Sequence, residues 1–175
     1  MAVGFYGVVT LFAIGYAMFS SSLSSLFGER SPTGKDWMWG VGFGLVLVLL
    51  CRFADAMSPA VERAGEALSA LLGPVTMLQA VVLALASGFA EELLFRGALW
   101  RHLGLAGTSL LFGLVHTLPR RALLLYPVFA AVVGLLLGLV RSGTETVVPC
   151  MVAHAVVNGL NLTWLERRRR RAAGA

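Results

Sequence analysis

Charge is scarce in this chain: Asp, Glu, Lys and Arg make up 13% of its 175 residues while 58% are hydrophobic, and the mean hydropathy is +0.81. A soluble domain of this length has too little interior to hide so much apolar surface, so an integral membrane protein is expected and soluble enzyme and binding classes are excluded. Cysteine is almost missing as well. Cys51 and Cys150 lie in apolar surroundings without a CxxC spacing, which argues against a disulfide framework or a zinc site and for buried structural thiols. The N-terminus lacks a basic n-region, so its first apolar stretch is expected to remain as an uncleaved helix. Nothing reads as a soluble second domain, and there is neither a long internal repeat nor a low-complexity segment beyond the basic tail.

What is present is a series of hydrophobic blocks at about 3–27, 37–53, 75–103, 107–119, 122–140 and 147–165. Because a helical span needs about 20 residues, the second and fourth blocks are marginal. The expected architecture is all-α: a polytopic transmembrane helical bundle of about six spans, forming one membrane-embedded domain over 1–175. Within it, 1–66 hold the N-terminal spans and an interfacial segment, 75–165 the helical core, and 166–175 a basic tail. Polar connectors are expected at Glu29 to Asp36, Asp55 to Glu66, Gly104 to Gly107, Pro119-Arg120-Arg121 and Arg141 to Glu145, with Ser58-Pro59 opening a short interfacial helix.

The net charge of +5 is a topology signal rather than a nucleic-acid one, since five of the fourteen basic residues form the run Arg167 to Arg171. With that run cytoplasmic and six spans crossing, Arg52, Arg63, Arg120, Arg121 and the tail put nine positive charges inside. Arg30, Lys35, Arg101 and Arg141 put four outside, in agreement with the positive-inside rule, and Arg96 is left within the membrane. The same run is suited to anionic lipid, at roughly 1 kcal/mol per basic residue near the surface. Gly134 and Gly138 make a GxxxG step, a device for close helix approach, read first as packing within the chain and second as dimerisation.

Against this background, Glu91-Glu92-Leu93-Leu94-Phe95-Arg96-Gly97 stands out, because intramembrane charge is expensive and is functional by default. Glu92 and Arg96 are four apart on one helix face, acid first, and are expected to neutralise one another. Glu91 points about 100° away and has no local basic partner, which leaves it as a carboxylate suited to accept a proton; Gly88, one turn earlier, leaves room beside it. The other polar groups at depth are His116, and His154 with Asn158 on a shared face. In an antiparallel hairpin turning near 103–104, Glu91 and His116 both lie roughly 20 Å from the turn at 1.5 Å per residue, so they share a depth. His102, the third histidine, falls at the polar end of its block.

These residues resemble the CPBP intramembrane glutamic proteases, also called the CAAX prenyl protease and Abi family. The family's EExxxR, FxxxH and HxxxN motifs stand here, in order, as Glu91-Glu92 with Arg96, Phe112 with His116, and His154 with Asn158. The resemblance covers about residues 75–165 and is to the small prokaryotic type, so a prenylated substrate is not implied. It implies that Glu91 is the general base sharing a water with His116, that His154 and Asn158 donate to the oxyanion, and that Glu92 and Arg96 hold the helix and orient Glu91. It also implies no metal and no other cofactor. The expected function is an intramembrane endopeptidase that hydrolyses a bond in a precursor or a C-terminal sorting signal. The expected partners are a membrane-associated peptide substrate and the lipid bilayer, with no nucleic acid. The expected setting is the plasma membrane of a prokaryote, with both termini cytoplasmic.

Competing readings are a zinc site of Glu91, His116 and His154, although HExxH is missing, and a non-enzymatic bacteriocin-immunity or membrane scaffold protein. A proton-coupled transporter is disfavoured by the lack of an inverted repeat, and a rhomboid-like serine peptidase by the lack of GxSG.

Overall fold

Apolar periodicity and turn residues divide the chain into seven α-helices among the described residues, which in this computed structural model are 2–20, 23–118 and 120–174. They are α1 (Ala2–Phe19), α2 (Gly34–Met57), α3 (Pro59–Leu72), α4 (Met77–Glu92), α5 (Trp100–Val115), α6 (Tyr126–Thr144) and α7 (Val148–Gly174). A π-helical turn, Leu93–Ala98, continues α4. Among the described residues there is no strand, only a single bridge between Gly28 and Thr146. The expected turn residue Pro119 lies outside the described residues.

The bundle is turned inside out relative to a soluble protein. Leu49 and Leu110 are about 70% exposed, whereas Glu92 and Arg96 are fully buried, as lipid on the outside requires. The six apolar blocks fall on α1, α2, α4, α5, α6 and α7, but the span count is not matched evenly. Four segments are long and apolar enough to cross a bilayer: Gly34–Met57, Met77–Ala98, Arg121–Thr144 and Val148–Gly174. α1 ends at Phe19, well before the end of its apolar block, and α5 has 16 residues. The second block, marginal in length, is carried by a 24-residue helix because flanking polar residues join it.

Local chemistry explains the ends. Asp36 accepts from the Thr33 backbone N–H at 2.6 Å and from the Arg30 guanidinium at 2.6 and 2.9 Å, which fixes the start of α2. Pro59 occupies the first turn of α3, where its missing N–H costs nothing, and α3 is the amphipathic surface helix expected after Ser58. Thr76 and Gln79 form a capping box for α4. Two expected connectors are corrected. The reversal at 104–107 is a single kink at Gly104, whose φ of 59° suits glycine, with helix on both sides. Arg141 is not in a connector: α6 runs on to Thr144, and the side chain is buried, donating to the Arg96 carbonyl at 3.2 Å and pairing with Glu29 at 2.6 Å.

α7 is the central helix, packed by α2, α4 and α6. Close approach is achieved with glycine. A Cβ at Gly40 or Gly44 would stand 2.6–2.9 Å from atoms of Pro149, Val152, Ala153 and Val156, and one at Gly88 would stand 2.9 Å from the Met151 and Ala155 backbones. The space beside Gly88 is therefore filled by α7 rather than left beside Glu91. Gly134 and Gly138 likewise serve packing within the chain, against Arg96, Phe112, Leu105 and Trp100. Cys150 is buried, with its thiol 3.1 Å from the Leu137 carbonyl, and Cys51 is half-buried. A Gly44→Leu variant is expected to lose about 2 kcal/mol through overpacking of the α2–α7 seam. Gly42→Leu, where nothing stands within 4 Å of a Cβ, is expected to leave the melting temperature in a lipid nanodisc unchanged.

Candidate active site

The polar residues singled out by spacing converge on the inner face of α4. Glu92 is fully buried, and its Oε1 accepts from Arg96 Nη1 at 3.1 Å and from His154 Nδ1 at 2.7 Å. The pair expected on one helix is thus extended to a second, and the expected scaffold directly orients His154. Arg96 reaches further: Nη2 donates to the Gly134 carbonyl at 2.6 Å, and the guanidinium lies 4.8 Å from the Phe112 ring centroid. Glu92 Oε2 and Arg96 Nε are buried without a partner among the described residues. The π-helical turn begins at Leu93, immediately after the two glutamates, and its wide geometry is a frequent mark of functional positions.

Glu91 faces the other way. Its Oε2 lies 3.6 Å from His116 Nε2 and has no hydrogen-bond partner among the described residues, and both side chains keep a little exposure, 12% and 20%. The two meet because the chain reverses at Gly104, close to the midpoint between them. His116 ends α5, and its Nδ1 is 2.7 Å from the Phe112 carbonyl. A carbonyl only accepts, so Nδ1 carries a hydrogen, and it is the other ring nitrogen, Nε2, that faces Glu91. Phe112 separates the two histidines, its ring centroid 4.5 Å from that of His116 and 5.8 Å from that of His154.

Asn158, one turn beyond His154 on α7, donates to Ser87 Oγ at 2.8 Å. Ser87 was not singled out from the sequence, although its place four residues before Glu91 on the same face was a usable signal. Two tyrosines were also missed: Tyr6 of α1, which interacts with Glu91 and Ser87, and Tyr126 of α6, whose ring centroid is 5.8 Å from that of His116. No local pattern marks either. His102 stands apart, against Tyr16. The alternative zinc set of Glu91, His116 and His154 does not assemble, because Glu92 rather than Glu91 engages His154. Among the described residues no three His, Cys, Asp or Glu side chains are placed to hold a metal.

Removing one member of a buried ion pair strands the other charge, at a cost of about 3–5 kcal/mol. Arg96→Leu is therefore expected to fold poorly. Glu92→Leu/Arg96→Met is expected to recover most of the thermal stability in detergent while leaving His154 without its partner.

The sequence profile described as type II CAAX prenyl endopeptidase Rce1-like matches residues 73–160, a stretch that holds Glu91, Glu92, Arg96, His116, His154 and Asn158. YpbD of Bacillus subtilis (strain 168), itself described as uncharacterized, is 35% identical over 80 residues, which is 46% of this chain and 42% of YpbD. The chain thus spans less than half the length of that relative. No solved structure matches the chain. The chain belongs to the Rce1-like family of type II CAAX prenyl endopeptidases.

Proposed function

We propose that the protein is an intramembrane endopeptidase of glutamic type, which hydrolyses a peptide bond in a membrane-associated precursor or a C-terminal processing signal. The observation that carries this reading is the pair Glu91 Oε2 and His116 Nε2, 3.6 Å apart with no hydrogen bond between them, Glu91 Oε2 having no partner among the described residues. In the catalytic form we propose, His116 bears its hydrogen on Nδ1 only, and a water giving one hydrogen to Nε2 and one to Glu91 bridges the two acceptors. Glu91 then takes the proton as the water oxygen attacks the scissile carbonyl carbon, and returns it to the amine that leaves.

The oxyanion formed at that carbonyl is met by Asn158 and His154. Asn158 spends one amide hydrogen on Ser87 and keeps one. His154 directs Nδ1 to Glu92, so donation from Nε2 requires a ring protonated on both nitrogens, its charge opposed by the Glu92 carboxylate. A cavity of about 160 Å³ adjoins the centre through Tyr126 and is bordered by Arg52, Phe129 and Trp164. Its mostly apolar wall is suited to a side chain of the substrate. The proposed setting is the plasma membrane of a prokaryote, with the basic end of α7 cytoplasmic.

Precursors that accumulate in the membrane of a cell lacking the protein, identified by mass spectrometry, are expected to name the substrate and the cut site. With that substrate, Glu91→Gln is expected to lower turnover by about a hundredfold to ten-thousandfold. Asn158→Ala is expected to lower it by about a hundredfold to a thousandfold, with each melting temperature near that of the parent. Full activity of Glu91→Gln would overturn the mechanism.

A further inference from the structure

Between α2 and α4, along the flank of α7, runs a groove of about 580 Å³ that takes no part in the proposed hydrolysis. Its sides are Val41 and Leu45 of α2 and Val81 of α4, and its floor is Ala155, Gly159 and Leu160 of α7. At its far end stand Glu166, Arg167 and Arg170. The charges there do not cancel. Glu166 is occupied by Arg169 at 2.9 Å, by Arg170 through Nε at 2.7 Å, and by the Val75 N–H at 3.2 Å. Arg167 makes no ion pair among the described residues, and Arg170 keeps its terminal nitrogens. Arg168, by contrast, points to another side of α7 and is taken up by Asp55, Glu62 and Glu66.

We infer that this groove binds one anionic phospholipid, an acyl chain lying along α7 and the phosphate held between Arg167 and Arg170. Depth supports the fit. From Ala155 to Arg167 is twelve residues, about 18 Å of helix, and one leaflet contributes about 15 Å of the ~30 Å hydrocarbon core. A chain reaching Ala155 therefore leaves its phosphate at the arginines, where the apolar wall gives way to charge. A zwitterionic lipid fills the same apolar wall but brings a cationic group to an end that already carries surplus positive charge, so the site selects an anionic headgroup. The bound lipid would brace α2 and α4 against α7 beside Gly88, on the seam that carries the Ser87–Asn158 and Glu92–His154 contacts.

The test uses the full chain, purified and examined by native mass spectrometry with phosphatidylglycerol and phosphatidylcholine offered in turn. One phosphatidylglycerol is expected to be retained in preference to phosphatidylcholine. Arg167→Ala/Arg170→Ala is expected to weaken that retention roughly thirtyfold, and Leu160→Trp, which fills the groove, to weaken it also. Arg171→Ala removes a charge from the same run outside the groove and is expected to change retention less than about twofold. Equal retention of the two lipids, or equal weakening by Arg171→Ala, would leave only diffuse attraction to the basic tail and overturn the site. Arg167 is exposed and unpaired, so Arg167→Ala alone keeps the test valid if Leu160→Trp fails to fold.

Discussion

Two polar groups, Arg96 and His154, meet at Glu92 in a bundle whose outer surface is apolar, and most of the interior is arranged around that meeting. A carboxylate with no exposure is tolerable in a membrane only when its charge is opposed on the spot, and Glu92 is opposed by Arg96 and approached by His154. Arg96 in turn needs acceptors and an electron-rich surface, which the Gly134 carbonyl and the Phe112 ring supply. The glycine at 134 lets α6 come close enough to offer that carbonyl, and Arg141 caps the arrangement by donating to the Arg96 backbone. Helices α4, α5, α6 and α7 are thereby tied to one buried charge.

That arrangement gives the two glutamates opposite circumstances one residue apart. Glu92 is locked by partners on its own helix and on α7, whereas Glu91 faces His116 across a gap too wide for a direct hydrogen bond and keeps some access to small molecules. In the proposed mechanism the fixed carboxylate orients and the loosely engaged one reacts, so adjacency in sequence would serve a division of labour. Phe112 contributes to both halves, covering the Arg96 guanidinium and separating the two histidine rings.

The N-terminal helices have a comparable logic. α2 carries no group of the proposed centre, yet its glycines at 40 and 44 seat it against α7 next to His154, and α1 brings Tyr6 to Glu91. The Rce1-like match begins only at residue 73, so these contacts are made by the part of the chain outside the matched region. The residues of the proposed centre are concentrated in one half and their packing is completed by the other.

Much of the architecture is legible in the residues alone, for a physical reason. In lipid every backbone group must be bonded within its own helix, so apolar run length translates into helices with few alternatives, and the six blocks fall on six helices. The same scarcity of intramembrane polarity makes Glu91, Glu92, Arg96, His116, His154 and Asn158 conspicuous, and spacing alone pairs Glu92 with Arg96. Spacing within a helix carries no information about which face of another helix it meets. That His154 binds Glu92 rather than Glu91, that Ser87 receives Asn158, that Arg141 is buried at a helix end and that the space beside Gly88 belongs to α7 were decided by interhelical packing. Those contacts are set by how closely glycine and alanine let backbones approach, which is a property of the assembled bundle and not of any segment of the sequence.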